Sequence, residues 1–135
     1  MTAMPLCSWC LALAVLAAAW NPASIANQST LEFLTVAPDE GEHWSTVWFV
    51  VIDGDVYLRL GPRAAKRIEK NTTAPRFKIR IGGEVYPMRY QKVPEMADRI
   101  AAAMADKYWT DVFGAPFRRL GLTTAPVMLR VTPES

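Results

Sequence analysis

A cluster of basic side chains is the feature of this sequence best suited to binding chemistry. The stretch LRLGPRAAKRIEKN, residues 58–71, contains a single acid, Glu69. Its bases are Arg59, Arg63, Lys66, Arg67 and Lys70. A phosphate group needs several charge-assisted donors that converge at one place, and arginine can bind it in a bidentate manner. The stretch therefore predicts either an anion-binding site or the solvated face of an ordinary helix.

The charges of the chain are separated along its length. The 135 residues have a formal net charge of only +2. Residues 1–26 have no charged side chain, and residues 27–58 have six acids but no Lys or Arg. Residues 59–92 then have ten bases against two acids. Such asymmetry concentrates a positive potential and attracts anions, although the small total gives no argument for nucleic acid.

Two tight hairpins organise the predicted strands. Asp53-Gly54 follows the apolar, β-branched strand Trp44–Ile52, and this dipeptide suits a type I′ turn, whose central residues both have positive φ. Gly82-Gly83 predicts a second hairpin after the alternating strand 76–81. Further strands are predicted at 31–36 and 127–131. Because tight hairpins join antiparallel neighbours, the sheet is expected to be antiparallel.

Two helices are predicted beside these strands. Gly61-Pro62 ends one strand, and the good helix formers of residues 63–70 follow it. A longer helix begins at Pro94 and continues to Tyr108 with apolar residues at helical spacing. A chain that is mainly β with two helices favours a closed or partly closed barrel with peripheral helices.

This setting favours the anion-binding interpretation of the basic stretch. Arg59 ends a predicted strand, and Arg63 and Lys66 lie one turn apart in the first part of the next helix. A helix N-terminus adds unpaired N–H groups and a partial positive charge. We predict that these three bases converge on one phosphate.

The bases of the strand 76–81 give a second candidate surface. Arg76, Lys78 and Arg80 alternate with apolar residues, as on the solvated face of a sheet. They could also form the rim of the anion site. Phe77 lies on the opposite face from these bases and cannot stack beside them, so no nucleic-acid partner is expected.

The stretches STVWFVVIDGDVYLRLGPRAAKRIEKN and RFKIRIGGEVYPMRYQKV resemble the pyridoxamine 5′-phosphate oxidase-like flavoprotein superfamily, and most of all its small flavin- or deazaflavin-binding members. The resemblance covers about residues 30–131. It implies a small antiparallel split β-barrel with two peripheral helices, a homodimer and bound FMN or deazaflavin.

The resemblance also implies which residues bind the cofactor. Arg59, Arg63 and Lys66 match the region that holds the cofactor phosphate in this superfamily. Trp48 and Phe49 lie in the strand that flanks the isoalloxazine ring. The helix lysine is preceded by Ala65, where members of the superfamily often have Ser or Thr.

No catalytic constellation or metal-ligand set occurs in the sequence, and its single histidine, His43, has no set of partners at ligand spacing. This fits flavin chemistry, in which the cofactor performs the redox step. The expected function is a flavin- or deazaflavin-dependent oxidoreductase acting on an unidentified small molecule, with no metal. The alternative is a cofactor-free exported barrel that acts as a binding or structural module.

Residues 1–26 are interpreted as a signal peptide or N-terminal anchor, followed by the barrel domain at 27–135. The apolar run Leu11–Trp20 has the length of a signal-peptide core, and cleavage is predicted after Ala26. The protein is then secreted or periplasmic. An uncleaved leader would make a membrane its partner, and a misassigned start would make it cytoplasmic. The Cys7-x-x-Cys10 pair lies inside this leader without a second ligand pair, so no redox or metal role is expected.

Overall fold

Seven strands and three short helices make up the part of the chain that the computed structural model describes, residues 20–108 and 127–134. The strands are β1 Leu31–Ala37, β2 Gly41–Val47, β3 Phe49–Ile52, β4 Asp55–Leu60, β5 Arg76–Ile81, β6 Glu84–Lys92 and β7 Val127–Pro133. The α-helices are α1 Pro22–Ile25, α2 Pro62–Lys70 and α3 Ala97–Lys107, with a 3₁₀ turn at Pro94–Met96 before α3. The leader up to residue 19, with its cysteine pair, lies outside the described residues.

All seven strands form one antiparallel sheet in the order β2-β1-β5-β6-β7-β4-β3. The two edge strands, β2 and β3, are consecutive in the chain and are joined by Trp48 alone. The sheet must therefore curl until its edges meet at Trp48, although β2 and β3 do not pair with each other. The result is a split barrel, which confirms the predicted fold class.

The single strand predicted over Trp44–Ile52 is wrong in one respect. The chain pairs with β1 as far as Val47 and with β4 from Phe49 onward. It thus crosses from one edge of the sheet to the other at Trp48. A continuous apolar sequence cannot show this change of partner, because both halves need buried, β-branched residues.

Both predicted hairpins are confirmed by their backbone angles. Asp53 and Gly54 have φ values of 51° and 82°, and Gly82 and Gly83 have φ values of 60° and 82°. Positive φ at both central residues is the requirement of a type I′ turn. These turns fix the registers of β3 with β4 and of β5 with β6.

The sheet buries side chains on both of its faces. The barrel interior is filled mainly by aromatic and branched residues from all seven strands, including Phe33, Phe49, Leu58, Ile79 and Leu129. A second cluster lies on the outer face, where Ile100 and Met104 of α3 pack against residues of β3, β4 and β7. Packing on both faces holds β4 in place. The position of β4 therefore fixes where Gly61 and α2, which follow it, begin.

The segment before β1 also packs onto the barrel. Ile25 of α1 is only 8% exposed and belongs to the barrel core. The rings of Trp20 and Tyr86 meet edge to face with 4.9 Å between their centroids. Residues 20–26, the last part of the predicted leader, therefore contact the barrel in this structure. Cleavage after Ala26 stays a prediction.

Among residues 20–108 and 127–134, no helix has the length and apolar character needed to cross a membrane.

The end of α3 covers the edge strand β3. Lys107 Nζ donates to the carbonyl oxygen of Phe49 at 2.9 Å and lies 3.5 Å from the centroid of the Phe49 ring. The Tyr108 hydroxyl accepts from the Phe49 N–H at 3.1 Å and donates to the Ser29 carbonyl at 2.7 Å. These contacts protect an edge that could otherwise pair with another chain. Burial lowers the pKa of Lys107 to about 8.

We expect the free energy of unfolding to rise between pH 8 and pH 10 because of Lys107. In this window the folded chain releases the lysine proton, whereas the unfolded chain, at the ordinary pKa of 10.5, still binds it. Stability increases with pH wherever the unfolded state binds more protons. The rise should be about 1 kcal/mol, because Lys107 is partly exposed and solvent screens its charge.

Urea denaturation of the parent and of Lys107→Met at pH 7, 8, 9 and 10 measures this contribution. The difference in stability between the two proteins should change across the series. Lys66→Met, which alters an exposed lysine of α2, is the control and should follow the parent. Parallel curves for the parent and Lys107→Met would show that the folded protein does not depress this pKa.

Candidate functional site

A cleft of about 710 Å³ lies between β2 and the first two turns of α2. The end of β4 and the Gly61 connection close one side of it. The described residues that line it are Thr30, residues 43–48, residues 59–65 and Arg67. The strand–turn–helix element predicted to bind an anion therefore forms one wall, and the sheet edge that ends at Trp48 forms the other.

Three of the five predicted site residues meet at this cleft. Arg59, Arg63 and Trp48 all line it. Lys66 is exposed on α2 and is not part of the lining, and Phe49 is fully buried in the barrel core directly after Trp48. The structure thus places the first three together and the other two outside the cleft wall.

The cleft has a strongly cationic lining. Arg59, Arg63 and Arg67 contribute guanidinium groups, and none of the described lining residues is an acid. Burial lowers the pKa of Arg59 from its usual value, but a guanidinium remains charged in proteins. One carboxylate lies beside this lining: Glu40 Oε2 is 3.5 Å from Arg67 Nη2.

The N-terminus of α2 adds backbone donors to this charge. Gly61 is the N-cap residue and provides no side-chain cap, and Pro62 at the first position has no N–H. The N–H groups of the first helical turn have no acceptor within a helix. Since Arg63 and Ala64 of this turn line the cleft, the helix terminus favours the same anion.

Two polar atoms of the cleft wall are buried without a hydrogen-bond partner within the described part of the chain, Ser45 Oγ and Arg67 Nε. Ser45 is only 7% exposed. Buried polar atoms are rarely left unpaired in folded proteins, so these two atoms are exceptions within the described cleft wall. Sequence reasoning missed both residues. The spacing of four between Arg63 and Arg67 was a usable signal, because such residues share a helix face, whereas nothing local indicates Ser45.

Two bases of the stretch, Arg67 and Lys70, have acidic partners in the turn between β1 and β2. Lys70 Nζ lies 2.9 Å from Asp39 Oδ2, and this hydrogen bond lowers the pKa of Asp39 and raises that of Lys70. Arg67 Nη2 lies 3.5 Å from Glu40 Oε2. The β1–β2 turn, which contains both acids, is thereby held against α2. The crowding of cations thus serves two purposes, lining the cleft and fixing the helix to this turn.

The bases of β5 behave mainly as a solvated sheet face. Arg80 donates to both carboxylate oxygens of Glu32 at 3.0 and 2.9 Å and lies 4.1 Å from the centroid of the Trp44 ring. Arg76 Nη1 lies 3.4 Å from Glu134. None of the three bases of this strand lines the cleft.

Trp48 lines the cleft at the point where the chain leaves β2. Its ring stacks on Tyr108 with 4.6 Å between centroids and 16° between planes. The bonds of the Tyr108 hydroxyl to Phe49 and Ser29 fix that ring in turn. A conjugated ring system could therefore stack here against a surface that is already in position.

The chain's single histidine also lies at the cleft. His43 is half-buried on β2 and belongs to the lining. Within residues 20–108 and 127–134, no three His, Cys, Asp or Glu side chains are grouped so that they could hold a metal ion.

No protein-family model and no curated protein matches this sequence. Among the solved structures that resemble its fold are the following three. HutZ, a heme storage protein from Vibrio cholerae, is 18% identical with a TM-score of 0.59, covering 80% of this chain and 83% of its own. A chain described as a domain-swapped dimer is 12% identical with a TM-score of 0.58, covering 78% and 81%. An F420-H2-dependent reductase is 14% identical with a TM-score of 0.55, covering 76% and 94%. At these identities the likeness shows a shared fold.

Proposed function

We propose that this chain, whose fold is the split barrel of the pyridoxamine 5′-phosphate oxidase-like flavoproteins, binds a phosphate-bearing flavin or deazaflavin in the cleft between β2 and α2. The observation that carries the proposal is that Arg59, Arg63 and Trp48 line one cleft. Anion donors and an aromatic platform are the two features that such a cofactor needs.

The residues present fit both parts of the cofactor. The phosphate would bind the guanidinium groups of Arg59 and Arg63 and the free N–H groups of α2. Ala65 lines the cleft without a hydroxyl, so the phosphate would depend on the two guanidinium groups and the helix terminus. The ring would stack beside Trp48, whose own ring is held by stacking on Tyr108; Phe49 would contribute only from the core. Lys66 would act at longer range, as an exposed charge that attracts the anion.

The proposed activity is the transfer of electrons or hydride between the cofactor and a small molecule. The bound cofactor would supply that chemistry, and the protein would bind, orient and shield it. One neighbour by fold is an F420-H2-dependent reductase, and F420 is a deazaflavin. This neighbour supports the redox proposal as a precedent on the same fold.

We also propose a homodimer. The edge strand β2 pairs on one side only, with β1, and the other side borders the cleft. A neighbour by fold is a domain-swapped dimer. A second copy beside β2 would shield a bound cofactor from solvent.

Arg63→Gln is expected to weaken FMN binding by about tenfold to a hundredfold. A hydrogen bond to a charged group contributes about 1.5–3 kcal/mol, and about 1.4 kcal/mol corresponds to a factor of ten. Riboflavin has the same ring without the phosphate, so its affinity should not change. Fluorescence titrations of both ligands with the parent and the variant measure the effect.

Lys70→Gln is the matched control, because it removes a cation from the same helix that is bonded to Asp39 and does not line the cleft. Its FMN affinity should equal that of the parent. Equal FMN affinities for all three proteins would remove Arg63 from the phosphate site. If FMN, riboflavin and F420 all fail to bind the parent, the alternative function, a cofactor-free binding or structural barrel, replaces the proposal.

A further inference from the structure

We propose that the full-length chain contacts an anionic lipid surface through one face of the β5–β6 hairpin, the outer hairpin face. This face consists of Arg76, Lys78, Val85, Pro87 and Arg89, which are all exposed. Its partner is a bilayer with negatively charged headgroups. None of the five residues lines the cleft between β2 and α2, so the proposal does not depend on the proposed cofactor.

The alternation of side chains along the two strands defines the outer hairpin face. Phe77, Ile79 and Met88 are buried in the barrel interior. Successive side chains of a strand point to opposite faces of the sheet, so their neighbours in the chain point outward. The helix α3 packs over residues of β3, β4 and β7. The outward side of β5 and β6 is therefore left open to a partner.

The outer hairpin face contains cations that the fold leaves uncompensated. Arg76 lies directly opposite Arg89 in the pairing of the two strands, and like charges in such positions destabilise a sheet. Arg76 Nη1 lies 3.4 Å from Glu134 Oε1. Neither Lys78 nor Arg89 forms an ion pair within residues 20–108 and 127–134. An anionic partner would stabilise this arrangement of charges.

An exposed apolar side chain lies beside these cations. Val85 is 47% exposed and is the exposed large hydrophobic residue of the part of the chain that the structure describes. Lys78 pairs with Pro87, two residues further along the same face. Cations beside apolar groups suit a membrane interface, where headgroups bind the cations and the acyl boundary accepts the apolar groups. The backbone of a nucleic acid would use the cations and leave Val85 in water.

The course of the chain before the barrel favours a lipid partner over an acidic protein. The Trp20 ring meets the ring of Tyr86, which lies between Val85 and Pro87 in β6, with 4.9 Å between the centroids. Residues 1–19, directly before Trp20, have no charged side chain, and residues 11–19 are all apolar. An apolar segment of this kind partitions into a bilayer. It would bring β6, and with it the outer hairpin face, to the bilayer surface.

Flotation of the full-length protein with two kinds of vesicle tests the lipid contact. One kind contains phosphatidylcholine alone, and the other also contains about one third phosphatidylglycerol, which makes its surface negative. Residues 1–19 should bind the protein to both kinds. The parent is expected to partition at least about tenfold more strongly to the anionic vesicles. Salt at about 0.5 M should abolish this preference, because it screens the surface charge.

Substitutions in the outer hairpin face separate its charges from its apolar side chain. Lys78→Gln and Arg89→Gln should each lower the preference about fivefold. Val85→Ser should weaken binding to both kinds of vesicle about threefold and leave the preference unchanged. Lys66→Gln, which removes an exposed lysine of α2, is the matched control and should behave as the parent. Thermal melts establish that each variant folds.

Three outcomes would overturn the proposal. The first is equal partitioning of the parent to both kinds of vesicle, or binding to neither. The second is a preference that the double variant Lys78→Gln/Arg89→Gln retains; if sedimentation velocity also shows that this variant has become monomeric, the face belongs to a second copy of the chain. The third is tight binding of duplex DNA by the parent without a preference for anionic vesicles, which would assign the face to nucleic acid.

Discussion

Asn71→Ala is expected to lower the free energy of unfolding by about 3 kcal/mol. Asn71 is 7% exposed at the end of α2 and forms bonds with all its polar atoms. Its Oδ1 accepts from the Val36 N–H at 3.1 Å and from the Thr73 hydroxyl at 3.0 Å. Its Nδ2 donates to the Arg76 carbonyl at 3.1 Å and to the Tyr90 hydroxyl at 3.0 Å. This one side chain thus ties α2 to β1, β5 and β6.

The expected effect is large because alanine leaves several partners unpaired at once. A buried donor or acceptor that loses its partner costs about 1–3 kcal/mol, more than the net gain from one hydrogen bond. In such a network each hydrogen bond also polarises its neighbours and so strengthens them. Water can reach part of the site through the exposed Thr73, so the total should stay below the sum of the separate losses.

Urea denaturation of the parent, Asn71→Ala and Asn71→Asp measures the effect. Asn71→Asp keeps the acceptor and loses the donor, so its stability should lie between the other two. Lys70→Ala is the neighbouring control; it breaks the exposed pair with Asp39 and should leave the urea midpoint nearly unchanged. A loss for Asn71→Ala no larger than that of Lys70→Ala would mean that the network contributes little to the fold.

The same asparagine shows that a sequence motif does not establish whether a side chain is accessible. Asn71-Thr72-Thr73 matches the acceptor pattern for N-glycosylation. In the folded chain its amide nitrogen already donates two hydrogen bonds and is buried. The pattern describes three residues, whereas accessibility depends on β1 and β6, which are distant in sequence.

Local signals predicted most of the sheet. The two hairpins follow from Asp53-Gly54 and Gly82-Gly83, because positive φ is a requirement of the turn itself. The break at Trp48 could not be predicted, since it arises only when the two edges of a seven-stranded sheet come together. The α1 contact was missed for a similar reason: the apolar character of residues before Ala26 fits a leader and a barrel core equally well.

The site could be predicted in the part that is continuous in sequence. Arg59 and Arg63 belong to one strand–turn–helix element, so their proximity is a local property. Lys66 is predicted because it matches the helix lysine of the superfamily and lies about one turn from Arg63, but Arg67, four residues from Arg63, also lies about one turn away. A step of three rotates the side chain about 60° one way from Arg63, and a step of four about 40° the other way. Only the position of β2 decides which of these sides faces the cleft.

A chain that begins at Asn27 is expected to be about 3–5 kcal/mol less stable than one that begins at Trp20. The longer chain keeps Ile25, which is 8% exposed in the barrel core, and the contact of Trp20 with Tyr86. Removing a buried branched side chain costs the transfer of its apolar surface and also leaves a cavity, because the surrounding core relaxes only in part.

Urea denaturation of the two chains tests this expectation, and Ile25→Ala in the full-length protein separates the side chain from the backbone of α1. That variant should lose about 2–4 kcal/mol, whereas Ala23→Ser, which alters an exposed position of α1, should lose little. Equal stability of the two chains would show that α1 adds nothing to the barrel. If the chain is cleaved after Ala26 as predicted, the exported product begins at Asn27 and should show the lower stability. N-terminal sequencing of that product, with its urea midpoint, would therefore measure how much stability the protein loses when its leader is removed at that site.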